Sequence, residues 1–158
     1  MKTNHLLACL LLPVASFAWA DAPFTVSADG TEVTDGRTGL VWRRCAEGMA
    51  VTGGTCTGTA SNFTHEAALT RAGAQATSTS VAWRLPNVKE LASIVDRSKS
   101  NPAIDSVAFP ATPANAFWSS SPYVGYAYYA RVVDFVDGSV GGYDRFVTLP
   151  VRLVRAGQ

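Results

Sequence analysis

Few side chains in this 158-residue sequence could carry out a reaction. The histidines are His5 and His65, and only His65 lies beyond the first twenty residues. A Ser-His-Asp device needs a histidine held between a serine and an aspartate. No Gly-x-Ser-x-Gly elbow accompanies His65, and its position at the head of an alanine-rich stretch reads as a solvated helix-cap histidine. A tetrahedral zinc site needs more ligands than one histidine and the pair Cys45 and Cys56 supply. Asp134, Asp137 and Asp144 lie close in sequence, but calcium asks for six or more oxygens and Asp137 belongs to an Asp-Gly turn. The expectation is a chain with no catalytic residues, no metal and no cofactor.

Binding is better served. Phe117, Trp118, Tyr123, Tyr126, Tyr128 and Tyr129 fall within thirteen positions, interleaved with Ser119, Ser120 and Ser121. Tyrosine and tryptophan offer an apolar face and a polar handle, which suits the C–H faces and hydroxyls of sugars. The same residues also build sheets and cores, and Trp118 is assigned to the core. Tyr123, Tyr126, Tyr128 and Tyr129 sit in a loop and strand edge and are the candidate ligand-binding tyrosines. Lys89, Arg97 and Lys99 are candidates for an anionic ligand, if they share the exposed side of a helix and its end. The competing reading is an ordinary solvated charged surface. Arg43 and Arg44 are adjacent, so on a strand they point to opposite faces.

These residues need a scaffold. Lys2, the apolar run Leu6 to Phe17 and the small-x-small triplet Ala18-Trp19-Ala20 form a secretory signal over residues 1–20, with cleavage before Asp21. That run is too short for a spanning helix, and no later segment is long and apolar enough to cross a bilayer. Residues 21–158 are then a single exported domain, periplasmic or extracellular. Losing Lys2 leaves 12 of the 13 basic residues against 12 acidic ones, a net charge of zero. Such a balance gives no generic attraction to nucleic acid. In an oxidising compartment Cys45 and Cys56 read as a disulfide closing a Gly- and Thr-rich loop, with a reactive thiol or metal pair as the alternative.

Asp29-Gly30 and Asp35-Gly36 separate the β-prone runs 24–26, 32–34 and 40–42, which predicts a small meander. A helix is expected from about Thr64 to Ala74, with small residues packing closely on a sheet. Pro86, Asn87 and Glu90 predict a second helix with a capping-box start, ending near Asp96 or Arg97. Residues 98–116 are proline-punctuated and irregular. Strands are expected at 116–120, 127–136, 139–143 and 149–154, with a hairpin turn at Val136-Asp137-Gly138-Ser139. The fold class is α+β, with two helices and mostly antiparallel strands.

Five segments also carry a family pattern: Thr38-Gly39-Leu40-Val41-Trp42, Trp83-Arg84-Leu85-Pro86-Asn87-Val88-Lys89-Glu90-Leu91, Phe117-Trp118-Ser119-Ser120-Ser121, Val133-Asp134-Phe135-Val136-Asp137-Gly138 and Val151-Arg152-Leu153-Val154-Arg155. In this order they resemble the Lcl C-terminal domain family, named after the end domain of a bacterial collagen-like adhesin. The resemblance implies a C-type-lectin-like fold, related to the formylglycine-generating-enzyme-like group, with a twisted antiparallel sheet, two helices and long loops. It implies a structural pairing for at least Arg84. The family's adhesin binds sulfated polysaccharides through this domain and forms trimers with its collagen stalk. This chain has no Gly-x-y repeat, so the trimer is not carried over. The calcium-lectin triplets Glu-Pro-Asn and Trp-Asn-Asp are absent, and the late cysteine pair of the formylglycine-generating enzymes has no counterpart. The expected function is a non-catalytic binding module contacting a carbohydrate, anionic glycans included, or another envelope component. A domain docking on an envelope protein is the alternative, and an enzyme is the third reading, which needs a convergent polar pocket that these residues do not supply.

Overall fold

The computed structural model describes residues 23–157, so the signal expected over 1–20 lies outside the described residues. In chain order the elements are β1 (Phe24–Val26), β2 (Glu32–Asp35), β3 (Leu40–Arg43), β4 (Ala50–Thr52), β5 (Thr55–Thr57), β6 (Asn62–Phe63), α1 (His65–Thr79), α2 (Val88–Ser93), β7 (Ala116–Pro122), β8 (Tyr129–Asp134), β9 (Ser139–Asp144), β10 (Leu149–Pro150) and β11 (Val154–Ala156). Among the described residues the fold is α+β with two helices, as expected. Its strands divide among four small sheets with orders β1-β2-β3-β11, β7-β8-β9, β4-β5 and β6-β10, and every pairing is antiparallel.

The expected meander forms β1 to β3, and β11 returns from the far end of the chain to pair with β3. The β4–β5 hairpin turns at Gly53-Gly54, and Cys56 on β5 is joined to Cys45 by the disulfide. The last hairpin turns where expected. Gly138 has φ +79°, and a Cβ there would overlap Val95, so only glycine fits the turn. Asp137 accepts from the Ser139 N–H at 2.9 Å, which explains the aspartate by its turn. β8 is shorter than the expected 127–136 because a turn occupies its start and the Asp134 carboxylate folds back onto the Val136 N–H at 2.8 Å.

The helices differ from expectation at their ends. Thr64 caps α1 by accepting from Ala67 N, and the helix runs to Thr79, beyond Ala74. Its last turns are held by Thr77, Ser78 and Thr79, whose hydroxyls bond back to the carbonyls of Gly73 and Gln75. Ala68 and Ala72, one turn apart, are buried in the core cluster that contains Trp118. Asn87 and Glu90 close the anticipated capping box on α2. This helix stops at Ser93, before Asp96. Arg37 takes the Ser93 carbonyl at 2.9 Å, and Val95 leaves to bridge Ile104 across the irregular segment.

Two buried clusters form the core. One gathers Trp42, Leu91, Phe109, Phe117 and Phe135, and the other Trp83, Leu85, Trp118, Val132 and Leu153. Trp118 is fully buried, as assigned, and donates from Nε1 to the Phe63 carbonyl at 2.8 Å.

Candidate functional site

The loop between β7 and β8 carries the tyrosines. Its backbone closes in successive tight turns: Tyr126 N–H donates to Tyr123 O at 3.2 Å, and Tyr129 N–H to Tyr126 O at 3.0 Å. Residues three apart along such turns return to the same side of the chain. Tyr123, Tyr126 and Tyr129 therefore meet, with ring centroids 5.6, 6.3 and 6.0 Å apart and edge-to-face tilts of 64–74°. With Gly142 on β9 they line an open cleft of about 390 Å³. Tyr128 falls out of this step; it is 71% exposed and lines no part of the cleft.

Tyr123 is the seated member. Its ring lies against Gly142, where a Cβ would overlap it, and the Arg131 guanidinium stacks 4.4 Å from its centroid. Tyr126 is 63% exposed and Tyr129 is 40% exposed, leaving both rings available to a ligand. The turn after β9 ties the loop down: Arg145 donates from its backbone to Tyr128 O at 2.9 Å and from Nε to Tyr129 O at 3.1 Å. The next residue, Phe146, is 76% exposed. Sequence reading missed Arg131, Gly142 and Arg145. Arg131 was visible in principle, two residues after Tyr129 and so on the same strand face.

The basic candidates do not converge in the same way. Lys89 is exposed on α2. Arg97 lines a separate cleft with Phe24, Arg37 and Asp105, one that holds neither Lys89 nor Lys99. Lys99 Nζ lies 3.4 Å from Asp96. The Asp137 carboxyl is held below the usual range, first by Ser139 and in small part by the Arg97 charge. Lys99 thus already has a carboxylate partner, and Arg97 shares its cleft with Asp96 and Asp105.

His65 corrects the expectation of a solvated cap. It is 3% exposed, with Nε2 3.0 Å from the Ser119 carbonyl and its ring edge-on to Trp118 at 5.3 Å. The Ser119 hydroxyl donates instead to Arg131 O, so the two residues form no nucleophile–base pair. Burial pushes the imidazole pKa below 6.5, and the Arg145 charge adds to this, against the raising effect of the Ser119 carbonyl. The unfolded chain takes up a proton near pH 6.5 and the folded one does not. Stability from this residue is therefore complete above about pH 6.5 and declines as the pH falls towards the lower folded value. Urea midpoints should fall between pH 7.5 and 5, and His65→Gln should flatten that slope. An unchanged slope would place the acid sensitivity elsewhere.

The family motifs build the frame. Arg84 forms a two-pronged pair with Glu90 at 2.8 and 2.7 Å, and that pairing holds the Glu90 carboxyl below its usual range. Trp83 lies beneath two guanidinium groups, Arg43 at 4.4 Å and Arg155 at 5.5 Å. Among the described residues no group of three or more His, Cys, Asp or Glu could hold a metal ion, and no helix is long and apolar enough to cross a membrane.

The fold and cleft define a disulfide-braced α+β domain presenting an aromatic surface. The chain belongs to the Lcl C-terminal domain family, which matches residues 31–155. No curated protein matches it.

Proposed function

We propose that this protein is an exported, non-catalytic binding module that holds a carbohydrate on the tyrosine cleft. The observation that carries this reading is the open triad of Tyr123, Tyr126 and Tyr129, with one ring seated and two exposed. Exposed aromatic faces backed by a fixed ring can stack on sugar C–H surfaces, and three hydroxyls remain for the polar edge. The disulfide is compatible with the oxidising compartment that export would provide. A protein partner is the second reading, favoured by Val124 and Phe146, which are apolar and 84% and 76% exposed.

The test is binding of residues 21–158 to immobilised heparin and to a neutral polysaccharide across a salt series. Salt-resistant binding to the neutral polymer is expected, because stacking does not depend on screening. Tyr126→Ala should weaken it by about 10-fold, roughly 1.4 kcal/mol, without moving the thermal midpoint. Gly142→Ala should also weaken it, by displacing Tyr123. Binding to neither polymer transfers the reading to a protein partner. Binding that survives both substitutions removes the cleft from the site.

A further inference from the structure

Beside the disulfide lies a second cleft, of about 420 Å³, lined by Thr31, Arg43, Glu47, Met49, Arg71 and Gln75 among others. It is built from β3, α1 and the disulfide loop, and shares no lining residue with the tyrosine cleft. Its charges do not cancel. Arg71 is paired with Glu47 at 2.7 Å, and Glu47 is itself 8% exposed and fixed through its backbone to Val151 and Ser61. Among the described residues Arg43 has no such partner. Glu32 sits directly across the strand pair from Arg43, yet its carboxylate goes to Arg155 at 2.6 Å.

Among the described residues, the Nε of Arg43 is buried without an acceptor. A guanidinium is an all-donor group, and leaving its donors unmade away from water is costly. Here its Cζ lies over Trp83, 4.4 Å from the ring centroid, so the group is positioned before any ligand arrives. A positioned planar fork beside an already neutral pair carries one uncompensated positive charge, which matches one planar, singly charged oxyacid group. The Gln75 amide and the Thr31 hydroxyl on the same walls supply uncharged hydrogen-bonding groups for the rest of a sugar-sized molecule.

We propose that this cleft is a binding site for a carboxylate-bearing ligand of monosaccharide size, with Arg43 as its anchor. The site is independent of the tyrosine cleft and of the carbohydrate reading placed there. The test is a titration of the whole domain with D-glucuronate, D-glucose and glucose 6-sulfate, following side-chain Arg Nε–Hε NMR signals. Glucuronate should shift the Arg43 signal with a dissociation constant on the order of millimolar, as a single charged contact supports, and glucose should leave it in place. Arg43→Lys keeps the charge but loses the fork, and should bind glucuronate at least about 10-fold more weakly. The proposal is overturned if glucose shifts the signal equally, if glucuronate leaves it unmoved, or if glucose 6-sulfate binds as tightly as glucuronate. The wild-type titration alone decides the matter should the lysine variant fail to fold.

Discussion

Arg152→Ala should lower unfolding stability by about 3–5 kcal/mol, the largest loss expected from any single substitution outside the hydrophobic core. Arg152 is fully buried, and burial pushes its guanidinium pKa down to about 9, so it stays charged at neutral pH. Among the described residues no carboxylate pairs with it. Nη1 donates to the Arg43 carbonyl at 2.9 Å and to the Arg44 carbonyl, and Nη2 donates to the Thr112 hydroxyl at 2.7 Å. Its Cζ also lies 4.8 Å from the centroid of the Phe109 ring. One side chain therefore joins the end of β3, the irregular segment and the chain just before β11. Truncation leaves those acceptors buried without donors, each costing about 1–3 kcal/mol, and opens a cavity besides. Recovering the cost of burying the charge offsets part of this. Arg152→Met keeps the volume and should lose less, about 1–3 kcal/mol, because only the hydrogen bonds go. Urea unfolding of both variants gives the comparison. A loss below about 1 kcal/mol for alanine would mean that the acceptors find other donors.

That role could not be read locally, and the contrast with Asn87 explains why. Asn87 and Glu90 satisfy each other within four residues, so the start of α2 was legible from the sequence. Its end depended on Arg37, 56 positions upstream, and on Ile104, and was placed too late. Arg152 reads as an ordinary strand residue until Thr112 and the β3 carbonyls are known. The burial of His65 likewise depends on Trp118 and Ser119, far along the chain. The hairpin of β4 and β5 had a local signal, Gly53-Gly54 between short Thr- and Val-containing runs, but its composition read as a loop. The tyrosines were half legible. Their place in a loop was right, while the selection of Tyr123, Tyr126 and Tyr129 over Tyr128 follows from a turn geometry that composition does not encode. The conflict between Arg43 and Arg155 over Glu32 was hidden for the same reason: it needs the register of three strands at once.

Replacing both cysteines by alanine, or reducing them, should cost roughly 3 kcal/mol, and the loss should begin locally. Cys45 and Cys56 are 11 residues apart, and closing a loop of that length restricts the unfolded chain by about this amount. The folded side of the balance points the same way. Among the described residues the β4–β5 hairpin pairs with no other strand, and two isolated strands are marginal in water. Its attachments include the disulfide, the packing of Met49 on the core, and Gly48, which has φ +89° and where a Cβ would overlap Ser61. Without the crosslink, amide exchange should rise first across residues 50–57, while β7 to β9 keep their protection. The two clefts should then part company. Glu47, Met49 and Ala50 wall the Arg43 cleft, so glucuronate binding should fall when the disulfide is removed. The tyrosine cleft stands on another sheet and should bind as before. Uniform loss of protection across the whole domain would show instead that the disulfide holds the entire fold, and a urea midpoint that does not move would show that the loop is already ordered without it.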